Sequence, residues 1–258
     1  MSTFLFDRII FGPVWSRRLG ESLGINLLPV NRKICNFNCV YCECGLTPED
    51  APSSGFPART EVASQLEAKL TEMQTRGEYL DSITFAGNGE PTLHPDFPGI
   101  MEDTRALRDA LFPAARITVL SNATLAGNEK VFHALRQADL PVLKLDSAVE
   151  STLKHINCPS GDFTLSRLAA SLRKFEGKLL IQTLFFRGTY QGVVIDNTTE
   201  AELAALLALL EEIRPEYVMM YSIARDTPVE GLERIAAAEL EGIAARFEKA
   251  GIAVQVTP

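Results

Sequence analysis

The chain has 258 residues, 46% hydrophobic and 22% charged, with a net charge of −8. That is apolar enough for a sizeable core and one large domain, and disorder is not indicated. No apolar run is long enough to span a bilayer, and the start lacks a basic stretch followed by an apolar one. The acidic balance argues against a broad electrostatic grip on nucleic acid.

Segment 1–22 reads as irregular, punctuated in its second half by Gly12, Pro13 and Gly20. Arg17 and Arg18 suit an anionic substrate or, as charge pairs usually are, a solvated surface. Leu23 to Leu28 reads as a short buried strand closed by Pro29. The loop 30–44 follows and carries Cys35, Cys39 and Cys42 in the spacing C-x3-C-x2-C. Thiolates packed so closely can face one inorganic centre, and a cubane iron–sulfur cluster held by three of them keeps one iron without a protein ligand. Structural zinc wants four ligands; here Cys44 is too near for a second knuckle, Cys158 is distant, and no histidine lies nearby. The five cysteines are an odd number and no secretory signal is seen, so a disulfide framework is not expected. A cytoplasmic location, with reduced thiols, is the expectation.

Residues 47–59 read as a loop, with Pro48, Pro52, Ser53, Ser54, Gly55 and Pro57. A helix over 61–76 presents Val62, Leu66, Leu70 and Met73 on one face. The strand 82–86 leads into Gly87-Asn88-Gly89-Glu90-Pro91-Thr92, by itself a glycine-rich turn. A helix with Ile100, Thr104, Leu107 and Leu111 precedes the strand 117–120, which ends in Ser121-Asn122. A helix near 129–137 precedes the strand 142–146, which ends in Asp146. A helix with Leu165, Leu168, Leu172 and Phe175 stops at Gly177, and the strand 179–185 is nearly continuous in apolar residues, as a buried parallel strand should be. Thr199 to Glu202 form a capping box that opens a helix, followed by the strand 217–222 and a last helix ending at Gly251. Residues 252–256 suit a short extra strand.

Strand alternating with helix predicts parallel βαβ units. Six strong units predict an α/β fold of the partial TIM-barrel kind, one domain over 1–258 with no dividing linker. Ser121, Asn122, Asp146, Gln182 and Ser222 then fall at C-terminal strand ends, facing the barrel mouth. Buried polar groups there need partners, either a ligand or neighbouring backbone. His94, His133 and His155 show no ligand-like spacing; Cys158 reads as structural, and Cys44 as a reactive thiol, a bystander or a substrate contact.

The cysteine spacing with Tyr41 before the third cysteine resembles the radical SAM superfamily, and Gly89-Glu90-Pro91 some fifty residues later resembles its GGEP motif. The resemblance implies a [4Fe-4S] cluster on Cys35, Cys39 and Cys42 whose open iron chelates S-adenosylmethionine. It implies reductive cleavage to a 5′-deoxyadenosyl radical, a six-unit open barrel, and an electron donor such as a flavodoxin or ferredoxin. It also implies that Gly89, Glu90 and Pro91 orient the methionine end of the cofactor, that Tyr41 packs on adenine or covers the cluster, and that Ser121, Asn122, Asp146 and Gln182 touch ribose or carboxylate. Ser16-Arg17-Arg18-Leu19-Gly20 and Lys144-Leu145-Asp146 add a likeness to the subgroup containing the wyosine-type tRNA base synthases. The substrate stays open among a small molecule, a protein and a tRNA, and a non-catalytic electron-transfer protein is the rival reading.

Overall fold

The computed structural model describes residues 4–48 and 55–257. The Pro52-Ser53-Ser54 part of the predicted loop therefore lies outside the described residues. Strands β1 (Ile10–Ser16) and β2 (Gly20–Ile25) come first, then helix α1 (Arg59–Thr75), β3 (Ser82–Phe85), α2 (Phe97–Leu111), β4 (Arg116–Ser121), α3 (Glu129–Leu135) and β5 (Leu140–Lys144). The second half holds α4 (Glu150–Asn157), α5 (Leu165–Arg173), β6 (Leu180–Tyr190), β7 (Val193–Asp196), α6 (Glu200–Ile213), β8 (Tyr217–Ser222), β9 (Leu232–Arg234), α7 (Ala237–Lys249) and β10 (Val254–Thr257).

One sheet runs in the order β1-β2-β3-β4-β5-β6-β8-β10. Every pair from β2 to β10 is parallel, and only β1 runs antiparallel along that path. This is an α/β fold with a mostly parallel, curved and open sheet. The six predicted strands are present, and the extra strand near the C-terminus joins β8 as a seventh parallel member.

The helices pack on the outside of the sheet. In α1 the buried residues are Val62, Leu66, Leu70 and Met73, the predicted stripe. The outer core joins Ile83, Phe85, Ile117, Val119, Leu143, Ile181, Val218 and Met220 of the strands to Leu66, Ile100, Leu172, Leu210 and Phe247 of the helices. The inner face alternates with it, as a period of two requires. Ser22, Ser82, Thr84 and Thr118 link their hydroxyls there at 2.8–3.0 Å. Leu140, Val142, Leu180 and Met219 form a smaller apolar cluster on that face, together with Leu19.

Three local expectations are corrected. The segment expected to be irregular carries β1, an edge strand that pairs with β2 and shifts register between Phe11 and Val14. Gly12 and Pro13 fall in that shift, where a missing N–H is tolerated. β2 ends at Ile25 rather than Leu28, because the Asn26 side chain takes over the backbone bonding: its Nδ2 donates to Leu28 O at 3.0 Å and its Oδ1 accepts from Leu28 N at 3.2 Å. The capping box at Thr199 is half formed: its hydroxyl accepts from Glu202 N, while the Glu202 carboxylate accepts from Ser147 Oγ at 2.6 Å.

Candidate functional site

The cysteine loop leaves the C-terminal end of β2, where parallel α/β sheets bind ligands. Two other segments clamp it. On one side Ile34 N donates to Asn88 O at 2.9 Å, and Glu90 N donates to Ile34 O at 3.1 Å. On the other, Asn38 N donates to Asn157 O, Val40 N to Ile156 O and Ser160 N to Asn36 O, all at 2.9 Å. The first clamp explains Gly89: at φ +140°, a Cβ there would stand 1.8 Å from Ile34 O. In this structure the glycine admits the cysteine loop, where the sequence reading had a ligand approaching.

Asn88, which interrupts a plain Gly-Gly pair, is fully buried and ties three segments together. Its Nδ2 donates to Phe6 O at 2.8 Å and to Pro29 O at 2.9 Å, and its Oδ1 accepts from Phe6 N at 2.8 Å.

The thiols surround a buried ammonium. Lys33 is 3% exposed, and its Nζ donates to Gly45 O at 2.7 Å. Burial works against its charge, but Cys42, Cys35 and Cys39 outweigh burial and its pKa is raised. Among the described residues no carboxylate forms an ion pair with it. Burial pushes the Cys35 thiol up to about 12 and the Cys39 thiol to about 11. Cys42 is drawn down to about 5, first by a hydrogen bond from Cys44 and further by Lys33. Cys44 is raised by that same contact and by burial.

This donor set fits an anionic iron–sulfur centre. Metal coordination replaces the proton on a buried thiol, and the counter-charge for a thiolate cluster is already in place on Lys33. Among the described residues no group of three or more His, Cys, Asp or Glu side chains stands ready to hold one metal ion. A cubane spreads three thiolates over three irons, so its ligands lie farther apart than those of a single ion.

The other predicted residues surround the loop. Glu90 is 2% exposed, and burial raises its pKa against four donors. Its Oε1 accepts from Thr92 N (3.1 Å), Thr92 Oγ1 (2.5 Å) and Ser121 Oγ (2.8 Å); its Oε2 accepts from Asn122 N at 2.7 Å. Among the described residues Oε2 accepts only that one hydrogen bond, which leaves a lone pair on it open to a further donor. Pro91 is buried and opens a short 3-10 turn, Pro91–Leu93. Asn122 Nδ2 donates to Asn36 Oδ1 at 2.7 Å and reaches Cys35 Sγ at 3.7 Å.

Asp146 is fully buried below the loop. It accepts from Tyr41 Oη, from Asn157 Nδ2 at 2.7 Å and from Leu184 N at 3.0 Å, and Lys144 Nζ lies 3.6 Å away. Tyr41 thus turns inward, its ring edge-on to Phe186 at 5.7 Å and beneath Lys144 Nζ at 5.1 Å. Gln182 pairs in register with Lys144 and Met219, facing the inside of the barrel; its side chain makes no hydrogen bond with a described residue. Ser222, by contrast, is structural: its Oγ donates to Phe185 O and accepts from Ile235 N. His94 is likewise satisfied, by Pro57 O and Asp96 N.

Sequence reasoning missed Lys33 and Asn157. Asn157 ends α4 and is 1% exposed; its Nδ2 also reaches Cys39 Sγ at 3.3 Å, while its Oδ1 has no partner among the described residues. No spacing signal joins position 157 to position 39.

Comparisons with known proteins agree with this geometry. Residues 33–210 match the family model described as Radical SAM superfamily. A UPF0026 protein of Synechocystis is 32% identical over 86% of this chain and 77% of its own length. A UPF0026 protein of Methanocaldococcus jannaschii is 32% identical over 80% of this chain and 61% of its own. A protein of Brachyspira hyodysenteriae named GTPase Obg is 28% identical over 93% of this chain, which spans only 33% of that protein. A radical SAM methyltransferase from Sphaerobacter thermophilus superposes with a TM-score of 0.66 at 17% identity, covering 92% of this chain and 65% of that one. Streptococcus suis SuiB bound to S-adenosylmethionine superposes at 0.61 and 15% identity, covering 88% of this chain and 49% of that one. These two likenesses bear on the fold. With the match running from the cysteine loop through four of the seven parallel strands, β3, β4, β5 and β6, to α6, the chain belongs to the radical SAM superfamily.

Proposed function

We propose that this chain is a radical SAM enzyme in which Cys35, Cys39 and Cys42 hold a [4Fe-4S] cluster and S-adenosylmethionine binds at its open iron. When bound, the cluster, once reduced by an external donor, would supply one electron to the sulfonium, breaking its carbon–sulfur bond to leave methionine and a 5′-deoxyadenosyl radical for hydrogen abstraction. The observation that carries the reading is the buried Lys33 ammonium, whose charge is met by three thiols and by no carboxylate among the described residues.

The protein's own part is placement. The two clamps fix the direction of the loop. Asn157 Nδ2 and Asn122 Nδ2 offer hydrogen bonds to the sulfurs of Cys39 and Cys35, which tunes the potential of a cluster held there. Glu90 keeps one acceptor for the methionine ammonium, with Gly89 and Pro91 fixing its turn. Ser121 and Asn122 hold that carboxylate in place, and Asp146 and Gln182 bound the site from below. Tyr41 and the 7% exposed Cys39 close the cluster side against water. A flavodoxin- or ferredoxin-like reductant is the electron source in this reading. tRNA is the substrate that the wyosine-type likeness suggests; the net charge of −8 argues against it.

Anaerobic reconstitution tests the proposal. With dithionite and S-adenosylmethionine, the wild type is expected to load about four irons and form 5′-deoxyadenosine, and Cys39→Ala to do neither. An intact cluster that forms no 5′-deoxyadenosine, and whose spectrum ignores added S-adenosylmethionine, refutes the proposal and favours a closed electron-transfer centre with Cys44 as fourth ligand.

A further inference from the structure

The turn between β1 and β2 does not stay on the surface. Leu19 packs against Leu140, Val142, Leu180 and Met219 on the inner face of the sheet. Arg18 beside it lies over the ring of Tyr221, with its guanidinium carbon 4.7 Å from the centroid. Lys144 Nζ meets the same tyrosine, 3.3 Å from its hydroxyl and 5.8 Å from its ring centre. Two cations therefore share one aromatic ring inside the barrel, below the cysteine loop.

Only one of the two charges is balanced. Lys144 is paired with Asp146 at 3.6 Å, a carboxylate whose other partners, Tyr41, Asn157 and Leu184 N, are neutral donors. Arg18 forms no ion pair with a described residue, and its Nη1 is buried without a hydrogen-bond partner. On the same inner face Gln182, 7% exposed, has a side-chain amide that no described residue engages. A guanidinium nitrogen buried without a hydrogen-bond partner is costly, so a fold that keeps Arg18 Nη1 there gains from a ligand that supplies one. The planar guanidinium, oriented by stacking, matches an oxyanion in two-point geometry, and a neutral amide and a phenol complete such a site.

We propose that the inner face of the barrel is an oxyanion site in which Arg18, Gln182 and Tyr221, backed by the charge of Lys144, bind a carboxylate or phosphate group of the substrate. The site lies on the barrel side of the cluster loop, so an anion held there presents the rest of its molecule toward Cys39 and the cofactor. Naming the substrate as a small oxyanion rests on the radical SAM reading above. The anion site itself does not, and the two are separated by measuring iron and binding independently.

The test is calorimetric titration of the anaerobically prepared full chain, after its iron content is measured, with inorganic phosphate in one arm and acetate in the other. Wild type is expected to bind at least one of them, and Arg18→Gln to weaken that binding at least tenfold. Arg18→Gln is also expected to melt higher than wild type without anion, because an unpaired charge is gone, and to lose the anion-dependent rise in melting temperature. Phosphate binding alone assigns a phosphorylated substrate; acetate binding alone or with phosphate assigns a carboxylate or a site that reads charge. Should Arg18→Gln fail to fold, Gln182→Ala and Tyr221→Phe decide, each expected to weaken binding several-fold. No binding of either anion to wild type, or equal binding in all variants, overturns the proposal. A chain that binds anion but loads no iron keeps the site and removes the radical SAM reading.

Discussion

The turn at Gly89 gives the sharpest test of how the site is held. In Gly89→Ala the new Cβ would start 1.8 Å from Ile34 O, and ordinary contact begins near 3.4 Å, so the cysteine loop must retreat by about 1.6 Å. That retreat breaks the two bonds that join the loop to the turn, Ile34 N to Asn88 O and Glu90 N to Ile34 O. Each is a buried backbone bond worth ~1 kcal/mol net, and ~1–3 kcal/mol if its groups are left unpaired. The backbone at φ +140° adds ~1–3 kcal/mol of strain for a residue with a side chain. The expected loss is about 3–9 kcal/mol, a large fraction of the ~5–15 kcal/mol that holds a domain folded. The control is Gly77→Ala, at φ +65° with nothing within 4 Å of its Cβ, where only the left-handed penalty of ~1–2 kcal/mol applies. Urea unfolding of the metal-free proteins measures both. A difference below ~1 kcal/mol between the two variants would show that Gly89 serves only a ligand, and that the clamp described here does not stabilise the apoprotein.

Glu90→Gln removes one carboxylate oxygen and turns an amide N–H toward donors that all need acceptors, at Thr92, Ser121 and Asn122. It is expected to cost ~1–3 kcal/mol in the same urea assay; a neutral result would mean that these donors find other partners. The ion pair Arg59–Asp103, at 2.7 Å, ties α1 to α2, and the hydrogen bond from Arg59 holds the Asp103 carboxyl below its ordinary value. A lowered carboxylate pKa contributes stability that is complete above the unfolded value near 4 and fades as pH falls through the folded one. Melting temperature between pH 5 and 2 should therefore fall less steeply in Asp103→Asn than in wild type. Parallel curves would remove the pair from the acid response.

The parallel strands were legible because burial on both faces leaves nearly continuous apolar runs, as in Leu179 to Phe186, broken only by Gln182 and Thr183. β1 was not, since an edge strand tolerates the Gly12-Pro13 pair that reads as a turn. β7 and β9 were missed for a related reason: they only widen the end of β6, and residues such as Val194, 78% exposed, carry no alternation to read. α4 has eight residues, too short for a helical stripe to stand out. In the site, Cys35, Cys39, Cys42 and the Gly89-Glu90-Pro91 turn were visible because their spacing is local. Lys33, Asn157 and the Arg18–Tyr221 stack join positions that only the curled sheet brings together.

The two clamps explain why local spacing is not enough. A C-x3-C-x2-C run sets how far apart three thiols sit along the chain, but not which way they face. Here the direction comes from backbone pairing with a turn after β3 on one side and the end of α4 on the other, through Gly89 and Pro159. Either clamp alone would leave the loop free to swing about its single attachment. With both, Cys39 is the most buried of the three cysteines and its Sγ accepts a hydrogen bond from Asn157 Nδ2 at 3.3 Å. Loosening either clamp should therefore expose Cys39 before it unfolds the sheet, because the strands beneath keep their own pairing while the loop above them loses half of its support.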